Sequence, residues 1–152
     1  MRLLVLLGAL VACGNPRGPT DLRSFGTAGG GVVPCQSGDV WCSFEGDVFG
    51  DEINMRSQVS AMIARGTLAP SASDELDRLT DQIPFATPAD HFVCADTPRH
   101  TIELDFAPEG LKSFRYDCDP GALANLHSFL QSVETDLMTC QPSFRFVTVE
   151  CF

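Results

Sequence analysis

The chain reads as an α+β domain, an antiparallel sheet with two helices packed on one face and disulfides bracing it. Three observations predict this. Thr101 to Phe106 alternates, with Ile102, Leu104 and Phe106 on one side and Thr101, Glu103 and Asp105 on the other, the period of a half-buried strand. Leu123, Leu126, Leu130, Val133 and Leu137 recur at the spacing of a helix that buries one stripe. Seven cysteines are present; with Cys13 set aside, Cys35, Cys42, Cys94, Cys118, Cys140 and Cys151 leave an even set suited to bridges in an oxidising compartment.

Taken in order, Met1 to Cys13 reads MRLLVLLGALVAC: one Arg, a short apolar run, then small Ala12 before a cysteine. The run is far shorter than the roughly 20 residues a spanning helix needs, so residues 1–12 read as a removed signal peptide. Leu10 to Cys13, LVAC, resembles the lipobox of bacterial lipoproteins. That resemblance implies cleavage between Ala12 and Cys13, acyl chains on Cys13 and a lipid-anchored place in the cell envelope. Gly14, not Asp, follows the cysteine, which by the same resemblance implies the outer membrane in a Gram-negative host. Gly14 to Pro34 is rich in Gly and Pro and its apolar residues have no period, so residues 13–34 read as the lipidated cysteine and a flexible tether. Residues 35–152 are then the single domain.

Asp39 to Glu45 predicts the first strand, with Gly46-Asp47 as a turn and Trp41 in the core. In Asp51 to Arg65 the apolar residues fit both a strand and a helix ended by Gly66; strand is the reading adopted. Ser71 or Ser73 caps a helix with Asp74 and Glu75 in its first turn, Leu76, Leu79 and Ile83 on one face and Pro84 as its stop. Pro108, Glu109 and Gly110 turn the Thr101 strand back on itself, and Phe114, Tyr116 and Cys118 share a face of the return strand. Asp119 as N-cap and Pro120 at the first position open the second helix. Phe144 to Phe152 is apolar on both faces and predicts a last strand buried in the sheet. Asp51 to Ile83 and Thr101 to Leu137 echo one another in element order, an internal repeat in outline.

The order GTLAP, helix, VCAD, strand, turn, strand, helix resembles small secreted or lipid-anchored bacterial proteins and is similar to the emfourin type of small metallopeptidase inhibitor, over Phe44 to Leu137. The resemblance implies an inhibitory binding protein; no inhibitory segment maps residue by residue, so it carries no site.

Ten Lys and Arg stand against 20 Asp and Glu, a net charge of −10. Phosphate binding needs clustered cations, so nucleic acid is not an expected partner. The membrane is met through the lipid on Cys13, and a further partner is an envelope or secreted protein. No P-loop, dinucleotide fingerprint, H-E-x-x-H or G-x-S-x-G occurs, and His91, His100 and His127 lack metal-ligand spacing. No catalytic residue and no cofactor are assigned. Glu45, Asp47, Asp51 and Glu52, interleaved with Gly46 and Gly50, supply the oxygens a hard cation takes, with Asp47, Asp51 and Glu52 the cation candidate. A solvated loop is the competing and preferred reading. His127, between Leu123 and Leu130, reads as a partly buried histidine with a satisfied ring. A non-catalytic binding module, with protease inhibition as one form, ranks first; a structural or accessory envelope lipoprotein ranks second, and a small extracytoplasmic hydrolase last.

Overall fold

The computed structural model describes residues 20–28, 42–57, 61–95, 97–141 and 143–152. The expected signal peptide, Cys13, Cys35 and Trp41 lie outside them. Eight strands and two helices follow one another as β1 (Thr20–Ala28), β2 (Phe44–Phe49), β3 (Glu52–Ser57), β4 (Met62–Leu68), α1 (Pro70–Asp81), β5 (Asp90–His91), β6 (Arg99–Phe106), β7 (Gly110–Tyr116), α2 (Ala124–Thr139) and β8 (Phe146–Cys151). The strands form one sheet in the order β5-β7-β6-β1-β2-β3-β4-β8. The mixed α+β class and two helices are as expected. The all-antiparallel sheet is corrected at one edge, where β5 runs parallel to β7 through Asp90 and His91.

The largest correction falls on the tether. Within residues 13–34, Thr20–Ala28 is β1, an inner strand paired with β6 on one side and β2 on the other. The domain therefore does not begin at Cys35. A register shift between Leu22 and Ser24 hides this strand from a periodicity reading. An extra residue there places Leu22 and Phe25, three apart, on the same buried side.

Glycine was also misleading at Gly46. The expected strand at Asp39 to Glu45 instead runs through Phe44–Phe49, and the turn comes later, at Gly50 with φ 60°. Gly46 sits in mid-strand because a Cβ there would stand 2.7 Å from the Phe25 ring and 2.9 Å from the Met55 sulfur. Gly66, which would have ended the alternative helix, is inside β4, beneath the Phe146 ring.

The strand reading of Asp51 to Arg65 holds for Glu52–Ser57 and Met62–Leu68, which pair antiparallel with Ile53 and Met55 fully buried. Helix α1 buries Ala72, Leu76 and Leu79, with Ile83 buried just beyond its end. Its expected serine cap is absent: Ala69 precedes Pro70 at the N-cap, and Ser73 donates to Asp51 Oδ1 at 2.5 Å instead. Proline already removes one of the unpaired donors of the first turn. The end of α1 is pinned to β1, since the Thr80 hydroxyl donates to the Thr20 carbonyl at 2.7 Å and Thr20 N–H donates to Asp81 Oδ1 at 2.9 Å.

The β6–β7 hairpin has the expected faces, with Ile102, Leu104, Phe106, Phe114 and Tyr116 buried. Cys118 does not share them; it lies past the strand, exposed and bonded to Cys94. Asp119 accepts from Gly121 N–H at 2.8 Å, but a 3-10 turn at Gly121–Leu123 intervenes and Leu123 is the N-cap of α2. Leu123, Leu126, Leu130, Val133 and Leu137 are all buried, as their spacing predicts. Helix α2 crosses the sheet: near its start His127 touches β6 and β7, and near its end Leu137 lies against Gly66 of β4.

The last strand is an edge, not a buried strand. Among the described strands β8 pairs only with β4; Phe146 is buried in the core and Val149 packs against it half-buried, while Val147 is exposed. One apolar cluster joins both helices and the sheet, from Leu22 and Phe25 of β1 to Phe146 of β8. Hairpin then helix occurs twice, as β3–β4–α1 and β6–β7–α2, a likeness of element order only.

Candidate functional site

Two bridges are formed among the expected cysteines, Cys94–Cys118 and Cys140–Cys151, and Cys42 is also disulfide-bonded. Cys140 follows α2 in the left-handed conformation, φ 53°, and its bridge ties the end of that helix to the end of β8. Cys94, Asp117 and Cys118 are the described residues close enough together to suggest a metal site. Their chemistry argues otherwise, because the two sulfurs are bonded to each other and the carboxylate is already engaged. Asp117 accepts from Val93 N–H at 2.9 Å and Cys94 N–H at 2.8 Å. Burial pushes its carboxyl up, but these and further backbone donors outweigh that and hold it below the usual range.

The cation candidate is dispersed. Asp47, in β2, pairs with Arg56 at 3.2 Å; Asp51, in the turn, accepts from Ser73; Glu52, in β3, accepts from Asn54 at 2.8 Å. Asp47 and Glu52 belong to the side of the sheet away from the core, where cross-strand pairs join neighbouring strands. Arg23 meets Asp105 at 2.8 Å, Arg115 meets Asp90 at 2.8 Å, and Arg65 pairs with Glu150. A hollow of about 340 Å³ lies at one end of the sheet, with Ser24, Gly26, Glu45, Arg56 and Thr101 among its lining. A second, about 230 Å³, lies between β7 and the 3-10 turn, over Phe114, Tyr116 and Leu123, with His91 at its wall. His91 Nε2 lies 3.2 Å from Asp119 Oδ2. The Gly121 N–H, then His91, hold the Asp119 carboxyl below its usual range.

A polar cluster sits where α2 meets β6 and β7. The Tyr116 hydroxyl and His127 Nδ1 are 2.7 Å apart, and Thr27 Oγ1 and His100 Nδ1 are 3.0 Å apart. His100 stacks on Tyr116 at 5.3 Å and stands edge-on to His127 at 4.9 Å. Burial, and then the neighbouring His127, push His100 down to about 4; burial also lowers His127. Burial and the Glu134 charge raise the Tyr116 phenol above its usual range. Thr27 and His100 are a hydroxyl and an imidazole in contact, but a ring held that low is a poor proton acceptor at neutral pH.

Sequence spacing singled out His127 and its partly buried place, which the structure bears out; it gave no sign of His100 and Tyr116. Their pairing was recoverable from the turn: once Phe106 faces Gly110, counting back along the ladder sets His100 opposite Tyr116.

The outer side of β8 is the other conspicuous feature. Phe144 is 80% exposed, Val147 64% and Phe152 72%. Val147 lies at a register shift, opposite the step from Thr67 to Leu68, so it has no partner position in β4. An edge of this kind offers unpaired backbone donors and acceptors beside apolar side chains. Comparison with protein-family models, with curated proteins and with solved structures found no match.

Proposed function

We propose that this chain is a lipid-anchored cell-envelope protein acting as a non-catalytic binding module, and that it takes an extended segment of a partner protein along β8. The carrying observation is the exposed edge with Phe144, Val147 and Phe152 around it. A strand edge selects polypeptide, because what it presents is backbone hydrogen bonding with side-chain pockets on alternate positions. A second copy is disfavoured as the occupant, since each chain carries a net charge of −10 and like charges repel. The partner segment is accordingly neutral or basic, with apolar side chains toward Val147. Inhibition of an extracellular protease is one form such binding takes. The Cys140–Cys151 bridge, which fixes the edge to α2, favours a rigid docking strand.

The test uses two baits, the mature chain and its Val147→Lys variant, against the native envelope fraction. A protein retained by the first and lost by the second, and one that slows amide exchange along 147–151, supports the reading; identical retention by both baits overturns it. Anchoring is checked separately. Cys13→Ser should release the protein from membranes, because two or more acyl chains make attachment effectively stable, and a variant still found in the membrane fraction would refute lipidation.

A further inference from the structure

The polar cluster beneath α2 joins four elements: Thr27 of β1, His100 of β6, Tyr116 of β7 and His127 of α2. Glu134 lies seven residues after His127, two turns on along the same side of α2. It is half-buried, and among the described residues it makes no ion pair. We propose that Glu134 and the His100–His127 pair are a compensating set that keeps α2 seated on β6 and β7 as the surroundings acidify, the carboxyl and the imidazoles taking up protons with opposite effects on the folded state. This goes beyond binding along β8 and does not depend on it.

The geometry makes the conflict. Two imidazoles with ring centroids 4.9 Å apart, each using Nδ1 on a neighbour from another element, cannot both be charged without repulsion in a half-dry site. Protonating either also forces its neighbouring hydroxyl to turn its lone pairs toward the ring. A half-buried carboxylate that makes no ion pair among the described residues, as at Glu134, has the reverse preference and is better placed when neutral.

The charged groups flanking the histidines on β5, β6 and β7 are engaged elsewhere. Arg99 of β6 stacks on Phe92, Arg115 of β7 is held by Asp90, and His91, opposite Tyr116 in the ladder, contacts Asp119. From β1 only the Thr27 hydroxyl meets the pair.

The signs follow from which state binds protons more readily. His100 is pushed from 6.5 to about 4. The unfolded chain therefore takes that proton first, and stability is lost as pH falls from about 6.5 toward about 4. His127, also lowered, acts in the same direction. Burial raises Glu134 from 4.5 to about 7, so the folded chain takes that proton first and stability is gained as pH falls from about 7 toward about 4.5. The windows overlap, and the imidazoles and the carboxyl act with opposite sign.

The experiment measures the folding equilibrium constant of the disulfide-intact chain by denaturant titration at about pH 7 and about pH 5, for the natural sequence, His100→Gln, Glu134→Gln and the double variant. Linkage sets the expected size of each single effect at about tenfold or more. On acidification His100→Gln should gain by that factor relative to the natural chain and Glu134→Gln should lose by it, with the double variant falling between the two. Single variants that shift in the same direction, or that track the natural chain, overturn the proposal. Should a variant not fold, NMR titration of the natural chain decides. A Glu134 carboxyl half-titrated near neutrality with His100 still neutral near pH 5 supports it, and ordinary titration of both overturns it.

Discussion

The side of the sheet that carries the helices and the side that does not are built from the same strands, alternate residue by alternate residue. On the covered side Ile53, Met55, Ile102, Leu104 and Phe114 join Leu126, Leu130, Val133 and Leu137 in one apolar cluster. On the open side Arg23–Asp105, Asp47–Arg56 and Arg65–Glu150 step across neighbouring strands. The difference teaches where stability is stored. Burial of apolar area stabilises by about 25 cal/mol per Å², whereas an exposed ion pair is worth about 0–1 kcal/mol and less in salt. The many pairs of the open side are therefore a solvated surface that fixes little, and the covered side holds the fold.

The widest gap should come from Leu130→Ala. Leu130 is 2% exposed in the middle of α2, and truncating such a residue costs about 2–5 kcal/mol through lost transfer energy and the cavity left behind. That is a large share of what a domain of this size has. A midpoint shift in denaturant no larger than that of an open-side variant would mean that α2 is not docked as described.

Overfilling the same side should cost less. Gly46→Ala places a methyl group 2.7 Å from the ring of Phe25, which is itself fully packed, and overpacking of this kind costs about 1–3 kcal/mol. An unchanged midpoint would show that Phe25 and Met55 can move aside. Lys112→Met comes next. Lys112 Nζ donates to the Phe85 and Thr87 carbonyls and stands 4.9 and 5.2 Å from the centroids of the Phe85 and Phe114 rings. Methionine keeps the stem but leaves two carbonyls without their cation, for an expected loss of about 1–2 kcal/mol. Equal midpoints would show that this cation fixes nothing and belongs with the open side.

How much of this was legible depended on whether a strand kept its period. The covered side of β6 and the stripe of α2 could be read directly, because nothing interrupts Ile102, Leu104 and Phe106 or the leucines from Leu123 to Leu137. β1 could not, because its bulge moves Leu22 and Phe25 out of alternation and its surroundings are rich in Gly and Pro. β8 misled for the opposite reason: Phe146 does enter the core, but an edge position leaves Val147 and the flanking Phe144 and Phe152 in solvent, and strand order is a non-local property. The cysteine set was legible and its pairing was not, since Cys94 meets Cys118 only through the placement of β7 and the loop before β6. Glu134 falls outside the stripe from Leu123 to Leu137, so helical spacing alone gives no sign of its burial. It is half-buried, and burial raises its carboxyl to about 7.

On the open side the expected effects shrink. Arg56→Ala removes the partner of Asp47 at 3.2 Å, with both side chains about a third or more exposed. The midpoint should move by no more than about 0.5 kcal/mol, and less at high salt. A cost above about 1.5 kcal/mol would show that the open side is not merely solvated.

The smallest effect should come from Val147→Lys, and its value lies in being small. Val147 is 64% exposed on the outer strand, at the register shift where β4 offers it no opposite residue. Replacing it exchanges one solvent-facing side chain for another, and surface changes away from packed features fall within about 0.5 kcal/mol. Lysine is also a side chain that natural edges use to discourage further pairing. The substitution therefore separates two properties that Leu130→Ala cannot, since it should leave the denaturant midpoint in place while removing capture of an extended partner along β8. A midpoint lowered by more than about 1 kcal/mol would mean that Val147 packs against the fold, and the edge would then have to be treated as part of the covered side.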